Sequence, residues 1–255
     1  LLKSIETKVR WVWSPITGRG RLSLELVDMD EQNVKQFFLN KGFLDIRTDK
    51  PKVTYDEGKD GYRVVFKVSQ GIRYRTKSIA IKGDLIEDEK VLKDSLQLKK
   101  DDFFSTGKLT EDIEKLNTIY GDKSYAFANI SPNIMKDKSN DKVKIEFVIE
   151  KGEKFKVNLI NISGNTRTRD KVIRRQVLVN ENDDYSASKI KASKQRINRR
   201  GFFETVEISE VPVENKEKYL DLNVDVVEKA TGFFSIAGGY SSSEKLLLGI
   251  QIQES

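Results

Sequence analysis

Leu159-Ile160-Asn161-Ile162-Ser163-Gly164 repeats, 81 residues on, the stretch Ser78-Ile79-Ala80-Ile81-Lys82-Gly83. Eight residues past each glycine, Val172-Ile173 matches Val91-Leu92, and further on Asp183-Asp184-Tyr185-Ser186 matches Asp102-Phe103-Phe104-Ser105. Alternation with period two predicts a strand with one buried and one wet face. The glycine that closes it lets the chain turn away. Several landmarks recurring at one spacing mark a chain built from tandem modules.

Working outward, a second alternating strand closed by glycine occurs three times. Val64, Phe66 and Val68 precede Gly71; Val143, Ile145, Phe147 and Ile149 precede Gly152; Leu220, Leu222, Val224 and Val226 precede Gly232. Before each of these lies a predicted helix leading into an aromatic-rich strand. Asp30 to Gly42 carries Val34 and Phe38 and runs into Phe43-Leu44; Asp112 to Ser124 carries Ile113, Leu116 and Tyr120 and runs into Tyr125; Ile190 to Gly201 carries Ile197 and runs into Phe202-Phe203. Apolar residues eight and four positions before the turn share a helical face, although Ser193 breaks the series in the last copy. Gly42 and Gly201 suit a left-handed position after a helix, and Ser124 stands there in the middle copy. Each complete unit reads strand, short helix, loop, longer helix, strand, strand. The predicted fold is α/β of the α+β type: tandem βααββ modules, each a three-stranded mixed sheet covered by two helices. The first unit lacks its opening strand. Residues 1–10 read as the end of its first helix and Trp11-Val12-Trp13-Ser14-Pro15 as its loop.

The 255 residues are 34% charged and average −0.54 in hydropathy, which suits several small modules with modest cores. No apolar run reaches the ~18–20 residues of a membrane-spanning helix. Leu1-Leu2 is followed at once by Lys3 and Glu6, so no secretory signal is read there and the sequence is expected to begin inside a longer protein. Histidine and cysteine are both absent. A cysteine or histidine zinc site, a thiol nucleophile and any Ser-His or Cys-His pair are thereby excluded. Asp101-Asp102, Asp183-Asp184 and Asp221 with Asp225 read as solvated loop and strand positions rather than Ca²⁺ ligands or acid–base pairs. Gly18-Arg19-Gly20-Arg21 lacks the lysine and following helix of a phosphate loop. No enzyme activity and no cofactor are expected.

After Gly232 the pattern changes. Phe234, Ile236 and Tyr240 alternate with Phe233, Ser235, Ala237 and Gly239; a polar turn follows, and then Leu246, Leu248, Ile250 and Ile252 alternate with Leu247, Gly249, Gln251 and Gln253. Such a division suits barrel strands with an apolar lipid face and a small or polar lumen face. It equally suits an amphipathic hairpin of the last module.

Three segments then carry a family likeness. Ile160-Asn161-Ile162-Ser163-Gly164-Asn165-Thr166 with Val172-Ile173-Arg174-Arg175 resembles the opening of the POTRA module nearest the barrel in BamA proteins. Ile197-Asn198-Arg199-Arg200-Gly201-Phe202-Phe203-Glu204-Thr205-Val206 resembles the second-helix-to-strand segment of that module. Thr231-Gly232-Phe233 through Gly239-Tyr240-Ser241 resembles the entry into the family's barrel. By this resemblance residues 1–73 are a third module without its first strand, 74–152 a fourth, 153–229 a fifth, and 230–255 the first barrel hairpin, with Phe234, Ile236 and Tyr240 marking the barrel start. The resemblance implies a non-enzymatic scaffold on the periplasmic face of the outer membrane of a Gram-negative bacterium. It implies unfolded outer-membrane proteins as clients, accessory lipoproteins as partners, and the outer membrane as the barrel's site. Gln176 departs from the glutamate that many relatives carry after the double arginine, on the face resembling the lipoprotein docking site.

Two surfaces are candidates for binding. An open sheet edge offers N–H and C=O groups to an extended peptide whatever its side chains. In the first unit that edge is expected at Leu44, Asp45, Ile46, Arg47, Thr48 and Asp49, unless these charges only guard it. Basic residues crowd the last module: Arg167, Arg169, Arg174, Arg175, Arg199 and Arg200, with Gln176 among them, and Lys189, Lys191 and Lys194 nearby. They face anionic headgroups or an acidic partner, or form a solvated helix face. Trp11 and Trp13 pack at a module junction or form a recognition knob. The alternatives are a related secretion or translocation pore, which usually has fewer modules, and a nucleic-acid-binding array suggested by a pI near 9.2. The second lacks RNP-like aromatic pairs and a GXXG loop, so nucleic acid is not an expected partner.

Overall fold

The structure is a computed structural model that describes residue 5 and residues 22–59, 61–229, 232–241 and 245–254; the side chains of residue 59 and of 232–254 are not among those described. The predicted end of the first helix before residue 11, apart from Ile5, together with Trp11, Trp13 and Gly18 to Arg21, falls outside these residues. So does the side-chain alternation of Phe234, Ile236 and Tyr240. The chain divides into two compact units, one of residues 1–117 and 129–151, the other of residues 118–128 and 152–255.

In the first unit, α1 (Leu24–Leu39) buries Val27, Val34 and Phe38. Val34, Phe38 and Ile46 form a small core against which Phe37, Phe43 and Val68 pack. Four short strands follow: β1 (Arg47–Thr48), β2 (Lys52–Asp56), β3 (Gly61–Val65) and β4 (Val68–Ser69), paired as β1–β4 and β2–β3, both antiparallel. The continuous strands expected from Phe43 through Asp49 and over Val64 to Val68 are thus broken. Pro51 brings no N–H to the ladder and restricts Lys50, and the break is bridged by the Asp49 N–H donating to the Lys67 carbonyl at 3.1 Å.

The second sheet of this unit holds β5 (Arg75–Gly83), β6 (Asn129–Asp137) and β7 (Lys142–Glu150), with β7 in the middle, parallel to β5 and antiparallel to β6. Between β5 and β6 run α2 (Glu89–Ser95) and α3 (Thr106–Gly121). A parallel pair needs such a crossover. The alternation read in the sequence sets the middle strand's inner face: Val143, Ile145, Phe147 and Ile149 are all buried.

The second unit repeats the plan. Strand β10 (Tyr219–Glu228) lies between β8 (Lys156–Ser163), parallel to it, and β9 (Phe203–Pro212), antiparallel to it; α4 (Asp170–Arg174) and α5 (Ala187–Asn198) provide the crossover. Leu220, Leu222, Val224 and Val226 join Val157, Ile160, Ile173, Ile190, Ile197, Phe203 and Val206 in one core. Each such side chain, fully buried, contributes about 1.5–3 kcal/mol. Strands β11 (Gly232–Ser241) and β12 (Lys245–Glu254) pair antiparallel with Ser241 opposite Lys245, a hairpin closed where the polar turn was expected.

The long helices begin earlier than the apolar spacing indicates, because serines cap them. Ser23 Oγ accepts from Leu26 N, Ser105 Oγ from Lys108 N, and Ser186 Oγ from Lys189 N. Counted from these caps, Ser193 is equivalent to Asp112 rather than to Leu116, because α5 is 12 residues long against 16 for α3. Ser193 therefore continues a repeated buried polar position, Asp30, Asp112 and Ser193, all fully buried. Asp112 accepts from the N–H groups of Gln97 and Leu98, and Ser193 Oγ accepts from Leu178 N at 2.8 Å. On α3 and α5 this position thus satisfies the chain that arrives from the short helix before it.

Candidate functional site

Of the expected client edge, only Arg47 and Thr48 lie in a strand, and that strand is paired on one side with β4. Ile46 is buried, Leu44 and Asp45 are half-buried, and Arg47 and Asp49 are exposed. Thr48 Oγ1 donates to Glu31 at 2.8 Å. Asp45 accepts from Lys136 Nζ at 2.7 Å and from the Tyr74 hydroxyl at 2.6 Å. These two hydrogen bonds, Lys136 first, hold its carboxyl below the usual range. Burial, aided by Asp45, pushes the Tyr74 phenol up to about 12. Asp45 is therefore a strut, and the accessible part of this edge is Arg47 to Asp49. The longer outer strands are β5 and β6, which border β7, and β8 and β9, which border β10, each on one side.

The joints between modules share one design. After α1 the carbonyl of Gly42 accepts from Tyr74 N at 2.9 Å, and the Tyr74 carbonyl accepts from Phe104 N at 3.0 Å; after α3 Ser124 accepts from Phe155 N at 2.8 Å, and Phe155 accepts from Tyr185 N at 3.1 Å. Ser124 takes the left-handed conformation (φ +75°) that its position demands. Two residues before these turns stand Asn40 and Asp122. Asn40 Oδ1 accepts from Gly107 N and Thr106 Oγ1, at the start of α3. Asp122 Oδ1 accepts from Ser188 N at 2.9 Å and Ser186 Oγ at 2.8 Å, at the start of α5. The end of each long helix caps the next one. Sequence reasoning missed both residues, although their shared offset from Gly42 and Ser124 was the available signal.

In the last module Arg167, Arg169, Arg174, Arg175, Arg199 and Arg200 are exposed, and Gln176, in the turn after α4, is 7% exposed, its Nε2 turned to the Val172 carbonyl of that helix. Arg174 donates to the Ile160 carbonyl and forks onto Asp170, which, with Glu181 adding to it, raises its pKa. Burial, then Glu210, raises the Tyr185 phenol. Of the predicted aromatic pairs, Phe104 and Phe203 are buried; Phe103 lies against the guanidinium groups of Arg73 and Arg75, and Phe202 is 52% exposed. Asp221 is structural: it accepts from Leu159 N and Asn158 Nδ2 where β8 bulges against β10. Among the described residues no group of His, Cys, Asp or Glu could hold a metal ion, and no helix is long and apolar enough to cross a membrane.

Glu228 ends β10 and gathers the loop that follows β8. Its carboxylate accepts from Thr166 Oγ1 at 2.8 Å, Arg167 N at 3.0 Å and Thr168 N at 2.7 Å. Hydrogen bonds from Thr168, its side chain foremost, and then from Thr166 and Arg167 outweigh burial and bring its pKa from 4.5 to about 2. A carboxylate whose pKa falls on folding stabilises the fold above the unfolded value and loses that contribution as pH drops through the folded one. Wild-type protein is therefore expected to exceed Glu228→Gln in denaturation midpoint at neutral pH, with the gap closing between pH 4.5 and about 2. A gap independent of pH would show that the charge is not what holds the loop.

The family model described as POTRA, surface antigen variable number repeat, matches residues 74–152 and 155–229. The outer membrane protein assembly factor BamA of Nitratidesulfovibrio vulgaris is 33% identical over 91% of this chain and 30% of its own length; that of Neorickettsia risticii is 34% identical over 86% and 29%. The chain thus spans about a third of the length of these curated relatives. A crystal structure of Haemophilus influenzae BamA POTRA3-5 superposes with a TM-score of 0.73 at 23% identity, covering 89% of this chain and 90% of that one, and shows the shared fold. With the POTRA model matching more than half of its residues and BamA proteins as its relatives, the chain belongs to the POTRA family and, within it, to the BamA family.

Proposed function

We propose that this chain is the client-receiving, non-enzymatic part of an outer-membrane protein assembly factor, lying on the periplasmic face of the outer membrane of a Gram-negative bacterium. Residues 1–73, 74–152 and 153–229 act as three successive modules, and 230–255 begins the barrel, with Phe234, Ile236 and Tyr240 on its first strand. The modules bind unfolded outer-membrane proteins by strand addition and pass them toward the barrel. Accessory lipoproteins dock on the last module, around Arg174 and Arg175. The observation that carries this reading is the sheet order: β6 and β9 are outer strands of nine and ten residues, each hydrogen-bonded along one side by its middle strand. Such edges recognise backbone, so one surface serves many β-rich clients.

Photo-crosslinkers placed one at a time at residues 44–52, and along β6 and β9, test this during assembly of an outer-membrane protein. Crosslinks to the client are expected along β6 and β9 and, on the shorter edge of the first unit, at Arg47, Thr48 or Asp49. Crosslinks confined to β6 or β9 would remove the first unit's edge from the receiving surface and keep the scaffold role. None along any of the three edges would overturn strand addition.

A further inference from the structure

The end face of each module, formed where its long helix turns into the next strand, has a defined use in the first two modules. There Asn40 and Asp122 cap the next module's helix, and the next module's first residues hydrogen-bond to Gly42 and Ser124. The aromatic rings after these turns, Phe43 and Tyr125, are half-buried, with Arg73 and Lys154 over them. In the third module the same position, two residues before Gly201, holds Arg199, and the ring after the turn, Phe202, stands 52% exposed. A guanidinium cannot accept a helix N–H. This face is built for something other than another POTRA module.

The rest of the face changed sign with it. The loop after β5 reads Asp84-Leu85-Ile86-Glu87-Asp88, whereas the equivalent loop after β8 reads Asn165-Thr166-Arg167-Thr168-Arg169. The parallel pairing of β8 with β10, the antiparallel pairing of β9 with β10, and the hydrogen bond from Lys229 N to the Phe202 carbonyl bring that loop, residues 199–202 and Lys229 to one end of the sheet. Arg169, Arg199, Arg200 and Lys229 are exposed there; of the acids at this end Glu228 is engaged with the loop and Asp170 with Arg174, and Glu204 is exposed. The chain leaves for β11 three residues after Lys229.

We propose that this end face, Arg169, Arg199, Arg200 and Lys229 around Phe202, docks on an anionic phospholipid surface. Charge complementarity selects the headgroups, and an exposed aromatic amid cations suits the boundary between headgroup and acyl chain. This deepens the membrane-side reading of the last module and rests on 230–255 leading into a membrane barrel. Its role is to hold the last module against the bilayer beside that barrel.

The test is cosedimentation of the whole chain with phosphatidylcholine vesicles, with and without phosphatidylglycerol. Binding that requires phosphatidylglycerol and weakens with salt is expected. Replacing Arg169, Arg199, Arg200 and Lys229 together by serine should weaken it about tenfold or more. Replacing Lys90, Lys100, Lys138 and Lys144, an equal number of exposed lysines elsewhere, should leave it within about twofold, which separates a face from net charge alone. Phe202→Ser should weaken it and Phe202→Trp should retain it. Equal binding to both vesicle types, or equal losses in the two quadruple variants, would overturn the proposal, as would a face that prefers an acidic protein and ignores lipid. Client crosslinks along the sheet edges would stand in that case, so the two readings fail separately.

Discussion

Gly164→Val is expected to unfold the last module's sheet, lowering stability by about 3 kcal/mol or more. A Cβ at Gly164 would lie 1.9 Å from the Val226 carbonyl oxygen, and the residue sits at φ +80°. Here the chain leaving β8 crosses directly over the end of β10, so the obstacle is backbone and cannot swing aside. Gly83 repeats the arrangement, with 2.1 Å to the Ile149 oxygen. Gly201 supplies the control: its φ is +78° but nothing lies within 4 Å of its Cβ position. Gly201→Ala should therefore cost only the conformational penalty, about 1 kcal/mol. Amide exchange in β8 and β10 reads both variants locally, which matters in a chain of several modules. Similar losses in the two would show that backbone conformation, not the crossing, makes Gly164 indispensable.

Asp112→Ala is expected to cost about 3 kcal/mol. Both carboxylate oxygens are engaged, one by Gln97 N and the other by Leu98 N at 3.0 Å, and the side chain is fully buried. Removing it strands two N–H groups at about 1–3 kcal/mol each. Ser193→Ala removes a single acceptor at the equivalent place, and Ser193 Oγ itself donates to the Lys189 carbonyl, so its loss should cost about 1 kcal/mol. Urea denaturation of the two variants should rank them in that order. Equal losses would mean that Asp112 does not hold two donors in solution.

These two residues show how far the repeat could be read. The glycines were visible as ends of alternating strands, because a period of two is a local property of the chain. That Gly83 and Gly164 lie under a carbonyl depended on the partner strand, more than sixty residues away. Ser193 looked like a lapse in an apolar stripe when counted back from Gly201. Counted from the Ser186 cap it falls where Asp112 does, because α5 is one turn shorter. Length differences within a repeat move one end out of register, and only the structure shows which end is the anchor. The proposed client edge was less legible. Pro51 was in plain view, but its effect, a strand cut to Arg47 and Thr48, required knowing that the Asp49 N–H pairs with Lys67.

The sequence by itself determined the modular plan: the 81-residue repeat, the inner faces of the two middle strands, the two-helix crossovers, and the change of pattern after Gly232. Each follows from periodicity and turn chemistry, which act between near neighbours. Tertiary structure alone decided that Asn40 and Asp122 cap helices of the next module, that Asp45 is a strut between Tyr74 and Lys136, that Gln176 turns inward, and that Phe202 with its arginines stays exposed on the last end face. The hydrogen bonds of Asn40, Asp45 and Asp122 at these places join residues from 29 to 91 positions apart, and no local pattern encodes which distant group a short polar side chain will meet.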